Sequence, residues 1–327
     1  MLFIRSLDSA RLTSAAYVEG PAAPAVWYDL VDPTPDELRA VEQAAEFDIP
    51  TRAEMEEIEV SSRLYNEDGV EYMTVTAVAR LDTDLPIKSP VLFVLGPKAL
   101  ATVRFTELKP FGNVVDRLSR SNGAAGNATP EQIMLLLIEA MVDRLADALE
   151  WIGAEIDGVS RGVFRPTEKL NASKRDAVLQ QTIEQVGREG DLLGMVRESL
   201  VGFTRLASYH HGVARIDRRA ADSEARVQTI QRDVAALLDH ASYLGTKVNF
   251  LLDATLGLIN LEQNQIIKIF SIAAVCLMPP TLVASVYGMN FKSIPELDFP
   301  YGYPMALCMM IVTAIAPYLY FKRKGWL

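Results

Sequence analysis

Cysteine is nearly absent: Cys276 and Cys308 are the only two in 327 residues. Both stand inside apolar runs and make neither a disulfide framework nor a metal-ligand spacing. Histidine is scarce too, at His210, His211 and His240. There is no glycine-rich phosphate loop, no nucleophile elbow, and no cluster of His, Cys and carboxylates at catalytic spacing. The sequence therefore does not read as an enzyme, nor as a machine driven by nucleotide hydrolysis. The N-terminus, MLFIRSLDSARLTS, lacks the long apolar core of a secretory signal. The large N-terminal part is expected to stay inside the cell.

Two further absences are the informative ones. Proline is missing from Val213 to Met278, and charge is missing from Ile269–Tyr287 and from Tyr303–Phe321. A segment of about 19 uncharged, mostly apolar residues is roughly 28 Å long as a helix, enough to cross a bilayer core. The rest of the chain is acidic, with a formal net charge of −10, so no nucleic-acid partner is expected. Lys322, Arg323 and Lys324 follow the second span directly, whereas Lys292 is the only basic residue in the loop between the spans. The basic end is thus predicted inside, and an even number of spans places the N-terminus there too. The expected location is the plasma membrane, the inner membrane of a bacterium, with both termini cytoplasmic.

One face of the first span is polar. Asn264, Ile267, Ser271, Ala274, Met278, Thr281, Ser285 and Gly288 recur at alternating steps of three and four, the period that holds one seam towards neighbouring helices. Asn, Ser and Thr are costly against lipid and usually face a bundle interior or a water-filled path. Two helices enclose no path, but several copies with the seam inward would. The alternative is that these small and polar residues simply pack the two spans together. Asp253, Gly257 and Asn260 continue the spacing towards the N-terminus. A ring of Asp253 carboxylates would concentrate cations. Equally, Asp253 is a solvated carboxylate on a stalk.

The seam leads into Tyr287-Gly288-Met289-Asn290. Pro295-Glu296-Leu297 lies in the loop, Gly302-Tyr303-Pro304 opens the second span, and the chain ends in Lys322-Arg323-Lys324-Gly325-Trp326-Leu327. Together these resemble the CorA family of magnesium channels, densely from about Lys247 to Leu327 and only in architecture before that. The resemblance implies a homopentamer in which Gly288, Met289 and Asn290 form the outer entry site for hydrated Mg²⁺. It implies a second oxygen ring at Thr281, apolar constrictions at Met278 and Ile267, and Asn264 at the cytosolic end. It also implies that Mg²⁺ is both the transported ion and, inside the cell, a ligand that holds the channel closed. Such a site suits an ion that dehydrates reluctantly and keeps its waters.

The remaining chain predicts an α+β cytosolic domain, a small, mainly antiparallel sheet with helices, over residues 1–125. A helical region with a long stalk helix follows over 126–265. The first transmembrane helix is placed at 266–290, an extracytoplasmic loop at 291–302, the second helix at 303–321 and a basic tail at 322–327. Thr34, Thr51 and Thr129 each carry an acidic or amide residue three positions on, the signature of a capped helix start. Asn66–Gly69 is expected as a turn between Ser62–Tyr65 and Val70–Arg80, two β-rich runs. Gly187, Gly190 and Gly194 are expected to break the helix that begins at Ala172.

The regulatory carboxylates are sought among Asp82, Asp84, Asp233 and Asp239, which no motif anchors. Lys268 with Lys322, Arg323 and Lys324 is expected to form a positive collar at the inner mouth, or to contact lipid headgroups. Co²⁺ is expected to pass as well as Mg²⁺. The competing readings are a Zn²⁺ or Ni²⁺ transporter on the same scaffold, which soft ligands would favour, and a non-conducting membrane-tethered sensor.

Overall fold

The computed structural model describes the chain up to Trp326 apart from residues 9–10, 18–19, 21, 58, 84, 121–127, 165–171, 217–220 and 291–299. Seven strands come first: β1 (Leu2–Asp8), β2 (Arg11–Ala16), β3 (Trp27–Val31), β4 (Leu64–Glu67), β5 (Val70–Ala79), β6 (Ile87–Leu95) and β7 (Leu100–Arg104). The helices are α1 (Pro35–Ala45), α2 (Arg52–Met55), α3 (Val60–Arg63), α4 (Lys109–Arg120), α5 (Pro130–Phe164), α6 (Ala172–Ile216), α7 (Ala221–Tyr287) and α8 (Gly302–Arg323). The chain forms two compact units, one of Met1–Pro166 with Gln181–Leu251, the other of Thr167–Gln180 with Leu252–Leu327.

In the first unit the strands form one sheet in the order β2-β1-β3-β7-β6-β5-β4. Every pairing is antiparallel except that of β3 with β7. The β4–β5 hairpin closes through Asp68 and Gly69, at φ 49° and 83°. Two positive-φ residues between paired strands make the loop whose twist suits a hairpin. The turn is tighter than the sequence predicts, because Asn66 and Glu67 belong to β4. Ser62 and Arg63, expected in a strand, close α3 instead.

Strands β5, β6 and β7 are buried on both faces, which accounts for their nearly continuous apolar runs. Tyr28, Leu30, Leu92, Val94, Ala101 and Val103 pack against Ala40 and Val41 of α1 and Met55 of α2. On the opposite face Trp27 meets Phe111 of α4 with ring centroids 6.2 Å apart. Helix α5 buries Met134, Ile138, Met141, Leu145, Leu149, Ile152, Ile156 and Val159, a stripe at the helical period. Each such side chain contributes about 1.5–3 kcal/mol.

The three capped starts are present. At Thr34 the Glu37 amide donates to the hydroxyl at 3.3 Å while Glu37 accepts from the Thr34 amide at 2.8 Å. Thr51 with Glu54 and Thr129 with Gln132 repeat the exchange. The expected glycine break is absent: α6 runs unbroken from Ala172 to Ile216. Isolated glycines cost a helix about 1 kcal/mol each relative to alanine, and packing offsets it. A Cβ on Gly190 would stand in ordinary contact with Val248 of α7, at 3.5 Å.

Buried charge ties the sheet together. The fully buried Asp29 carboxylate accepts from Arg5 at 2.9 Å, from the Arg104 Nη2 at 3.1 Å and from Thr102 at 3.2 Å. Across the unit, His210 of α6 is fully buried between two carboxylates. Its Nδ1 lies 2.8 Å from Glu71 of β5 and its Nε2 3.2 Å from Glu131 of α5.

Candidate ion path and cation sites

The second unit holds the part of α7 that passes through the apolar run, together with α8. Both helices are long and apolar enough to cross a membrane, and most of their large side chains are exposed, among them Phe270, Leu277, Leu282 and Val312. Such a surface is stable only if lipid or other chains cover it. Along α7, Ile272 is buried and Cys276, Pro279, Val283 and Tyr287 are half-buried. On α8 the shielded row is Gly302, Ala306, Met310, Thr313, Pro317 and Phe321.

The polar seam lies elsewhere. Asn264, Ile267, Ser271, Ala274, Met278, Thr281, Ser285 and Gly288 are all exposed, as are Asp253, Gly257 and Asn260. At 100° per residue the seam and the shielded row of α7 fall on opposite sides of the helix. The packing alternative requires the seam to be on the shielded side, and it is not. Pro279 and Pro280 remove the amides that would bond the carbonyls of Val275 and Cys276, yet α7 continues through them to Tyr287.

Gly288, Met289 and Asn290 stand where α7 ends, all three exposed. The Gly288 amide donates to Ala284 at 2.9 Å and the Met289 amide to Val286 at 3.3 Å. A Cβ on Gly288 would sit 3.0 Å from the Ala284 carbonyl oxygen, so close approach is what requires glycine here. A helix C-terminus presents carbonyls without helical partners and the negative end of the helix dipole. The motif therefore occupies a place that attracts cations. The loop residues 291–299, with the Pro295-Glu296-Leu297 signal, lie outside the described residues.

At the other end of the apolar run the basic residues come together. Lys268 lies over the Trp326 ring at 5.9 Å, and Lys324 lies over Tyr320 at 5.4 Å. Lys322 and Arg323 close α8, and all four cations are exposed.

The carboxylates expected to be regulatory are not brought together into one site. Asp82 is held within the chain by Lys109 at 2.6 Å and by Arg144, and these hydrogen bonds hold its carboxyl below the usual range. A cation there must displace two positive side chains. Asp84 lies outside the described residues. Asp233, Asp239 and Asp253 are exposed. Asp233 adds its charge to that of Glu139 and Asp147 around Asp143, whose carboxyl is pushed up by burial first and then by these neighbours. Glu139, Asp143 and Asp147 recur every four residues along one face of α5, and only Asp233, on α7, is distant in the chain. Among the described residues no three His, Cys, Asp or Glu side chains stand close enough to hold a metal.

A sheet-and-helix unit together with two exposed helices long and apolar enough to cross a membrane, α7 and α8, is the architecture of a two-span membrane protein. The CorA-like Mg²⁺ transporter protein family model matches residues 23–323, and the chain belongs to that family. It is 37% identical over 328 residues to a magnesium transport protein CorA of Escherichia coli (strain K12), covering all of both chains. It is 37% identical over 306 residues to that of Yersinia pseudotuberculosis, covering 93% of each. Among solved structures, the complete CorA magnesium transporter of Methanocaldococcus jannaschii aligns with a TM-score of 0.75 at 16% identity, over 100% of this chain and 99% of that one. The full-length CmaX protein aligns at 0.65 and 14%, over 99% and 98%. The cytoplasmic domain of ZntB from Vibrio parahaemolyticus aligns at 0.53 and 10%, over 79% and 98%. At such identities these structures speak for the fold alone.

Proposed function

We propose that the chain is one subunit of a homopentameric channel that admits Mg²⁺ through the bacterial inner membrane, with Co²⁺ as a second permeant ion. The observation that carries this reading is the exposure of the whole polar seam of α7 on the side opposite its shielded row. Copies turned seam inward would surround a water-filled path, which removes the cost of leaving Asn, Ser and Thr against lipid. Relatives at 37% identity bearing the name magnesium transport protein support the choice of ion. The seam supplies hard oxygen donors, while Cys276 belongs to the shielded row and no histidine lies on the seam, so the thiolate and imidazole that would favour Zn²⁺ and Ni²⁺ are not on the path.

In this reading a hydrated ion first meets Asn290 and the carbonyls of Gly288 and Met289. It next reaches Thr281, then the apolar rings of Met278 and Ile267, which gate by dewetting, and leaves past Asn264. Two positive charges moving inward gain about 4.6 kcal/mol per 100 mV. Both termini and the large unit face the cytoplasm, and the basic collar of Lys268, Lys322, Arg323 and Lys324 surrounds the inner end. Intracellular Mg²⁺ closes the channel by binding the closed state more tightly, at carboxylates that include Asp82, Asp233 and Asp239. The test is Mg²⁺ uptake into proteoliposomes holding an inward-negative potential, wild type beside Asn290→Ala. Uptake by the wild type and little by the variant is expected. Equal uptake would move the entry site, and no uptake by a folded, oligomeric wild type would favour the sensor reading.

A further inference from the structure

We propose that the first unit carries a binding site for a soluble polyphosphate anion, in the groove between β5, α3 and α6. This does not rest on the transport reading.

The groove has a volume of about 750 Å³ and three arginines, Arg63, Arg197 and Arg205, line it. Such a concentration of positive charge is unexpected on a chain with a net charge of −10. Arg197 and Arg205 are exposed and have no ion-pair partner among the described residues. Arg63 is fixed differently. Its Nη1 donates to Thr76 at 3.5 Å and its Nε to the Glu57 carbonyl, which leaves Nη2 for a ligand. Thr74 and Thr76 line the groove on the face of β5 that carries Arg63, opposite the face where Val75 meets Gly202 of α6. The carboxylate on the rim, Glu198, is matched by Lys88 at 2.7 Å.

The spacing on α6 selects the ligand. Arg197 and Arg205 are eight residues apart, about 12 Å along the helix and on one face. Gly194, on the same face, has open space where a Cβ would be, so no side chain at that position stands between the guanidinium groups and the groove. Guanidinium forks carried about 12 Å apart on the helix can each take a bidentate pair from a different phosphate of one chain. Among the described residues no aromatic side chain lines the groove, so the recognition is of the phosphate chain, with nothing to stack on a base.

The experiment is calorimetric titration of the full-length protein in detergent with sodium tripolyphosphate, in buffer freed of divalent ions. Four proteins are compared: wild type, Arg197→Gln with Arg205→Gln, the Lys/Lys version of the same pair, and Arg39→Gln with Arg120→Gln. The last removes two exposed charges elsewhere. The wild type is expected to bind tripolyphosphate more tightly than orthophosphate. The Gln pair should bind at least about tenfold more weakly, with the Lys pair between them and the distant pair unchanged. No binding by the wild type, or equal losses from the near and distant pairs, would overturn the site. Competition by glycerol 3-phosphate distinguishes the sources. Displacement at equal concentration would overturn the polyphosphate assignment in favour of a lipid headgroup, and failure to displace supports a free polyphosphate.

Discussion

Thr281 donates its hydroxyl hydrogen to the carbonyl of Leu277 at 2.7 Å. The donor is thus spent within α7, and the lone pairs of an exposed residue remain for an approaching cation or its waters. Thr281→Val keeps the shape and removes only the oxygen. Since this type of back-bond slightly destabilises a helix, the variant should remain folded. Mg²⁺ uptake is expected to fall on the order of tenfold, equivalent to about 1.4 kcal/mol for one hydrogen bond, while Thr281→Ser should retain it. Wild-type uptake by the valine variant would remove Thr281 from the path.

The Asp29 triad sets the stability of the first unit. Asp29 is fully buried and Arg5 and Arg104 nearly so. Asp29→Asn leaves the buried Arg5 without its counter-charge and Arg104 with only Glu107, 3.2 Å from its Nη1, and losing one partner of a buried pair costs about 3–5 kcal/mol. Thermal unfolding of the purified chain should show a drop of several degrees or more. A change near zero would mean that the arginines find other partners.

His210 should make stability depend on pH. Burial alone would lower the affinity of its ring for a proton, but hydrogen bonds to Glu131 and Glu71, with their charges, raise its pKa above the ordinary 6.5. A raised folded-state value means that the stabilisation is fully present below about pH 6.5. It is lost as pH rises through the folded value. Melting temperatures of wild type and His210→Gln should therefore differ most near about pH 6 and converge at higher pH. A constant difference across that range would show a neutral His210 throughout.

What the sequence made legible was local. Thr34, Thr51 and Thr129 announce helix starts because the partner residue is three positions away. The seam of α7 is visible because a helix repeats its face every three or four residues. The links between distant positions were not legible. Nothing near Asp29 in sequence points to Arg104, 75 residues away, and nothing near Glu71 points to His210, 139 residues away. Strands β1 and β2 and helix α4 were not anticipated. The α4 run Lys109–Arg120 has Pro110 in its first turn but carries Gly112 directly after it, a weak helix former, and its Phe111 packs against the distant Trp27. The glycines of α6 misled because each costs only about 1 kcal/mol, which the burial of side chains such as Leu192, Val196, Leu200 and Phe203 of the same helix outweighs.

The most direct test of the central claim is the water accessibility of the α7 seam in the assembled protein. Cys276 and Cys308 are first replaced by alanine. Ala274→Cys and Thr281→Cys are then compared with Val275→Cys and Leu282→Cys, one residue further round the helix in each case. Mg²⁺ uptake is followed as a membrane-impermeant thiol reagent is added. The account predicts that the seam cysteines react and that uptake stops, while the neighbouring pair neither reacts nor loses uptake. Reaction at 275 and 282 with silence at 274 and 281 would contradict it, and would place the polar face of α7 against protein rather than on an ion path.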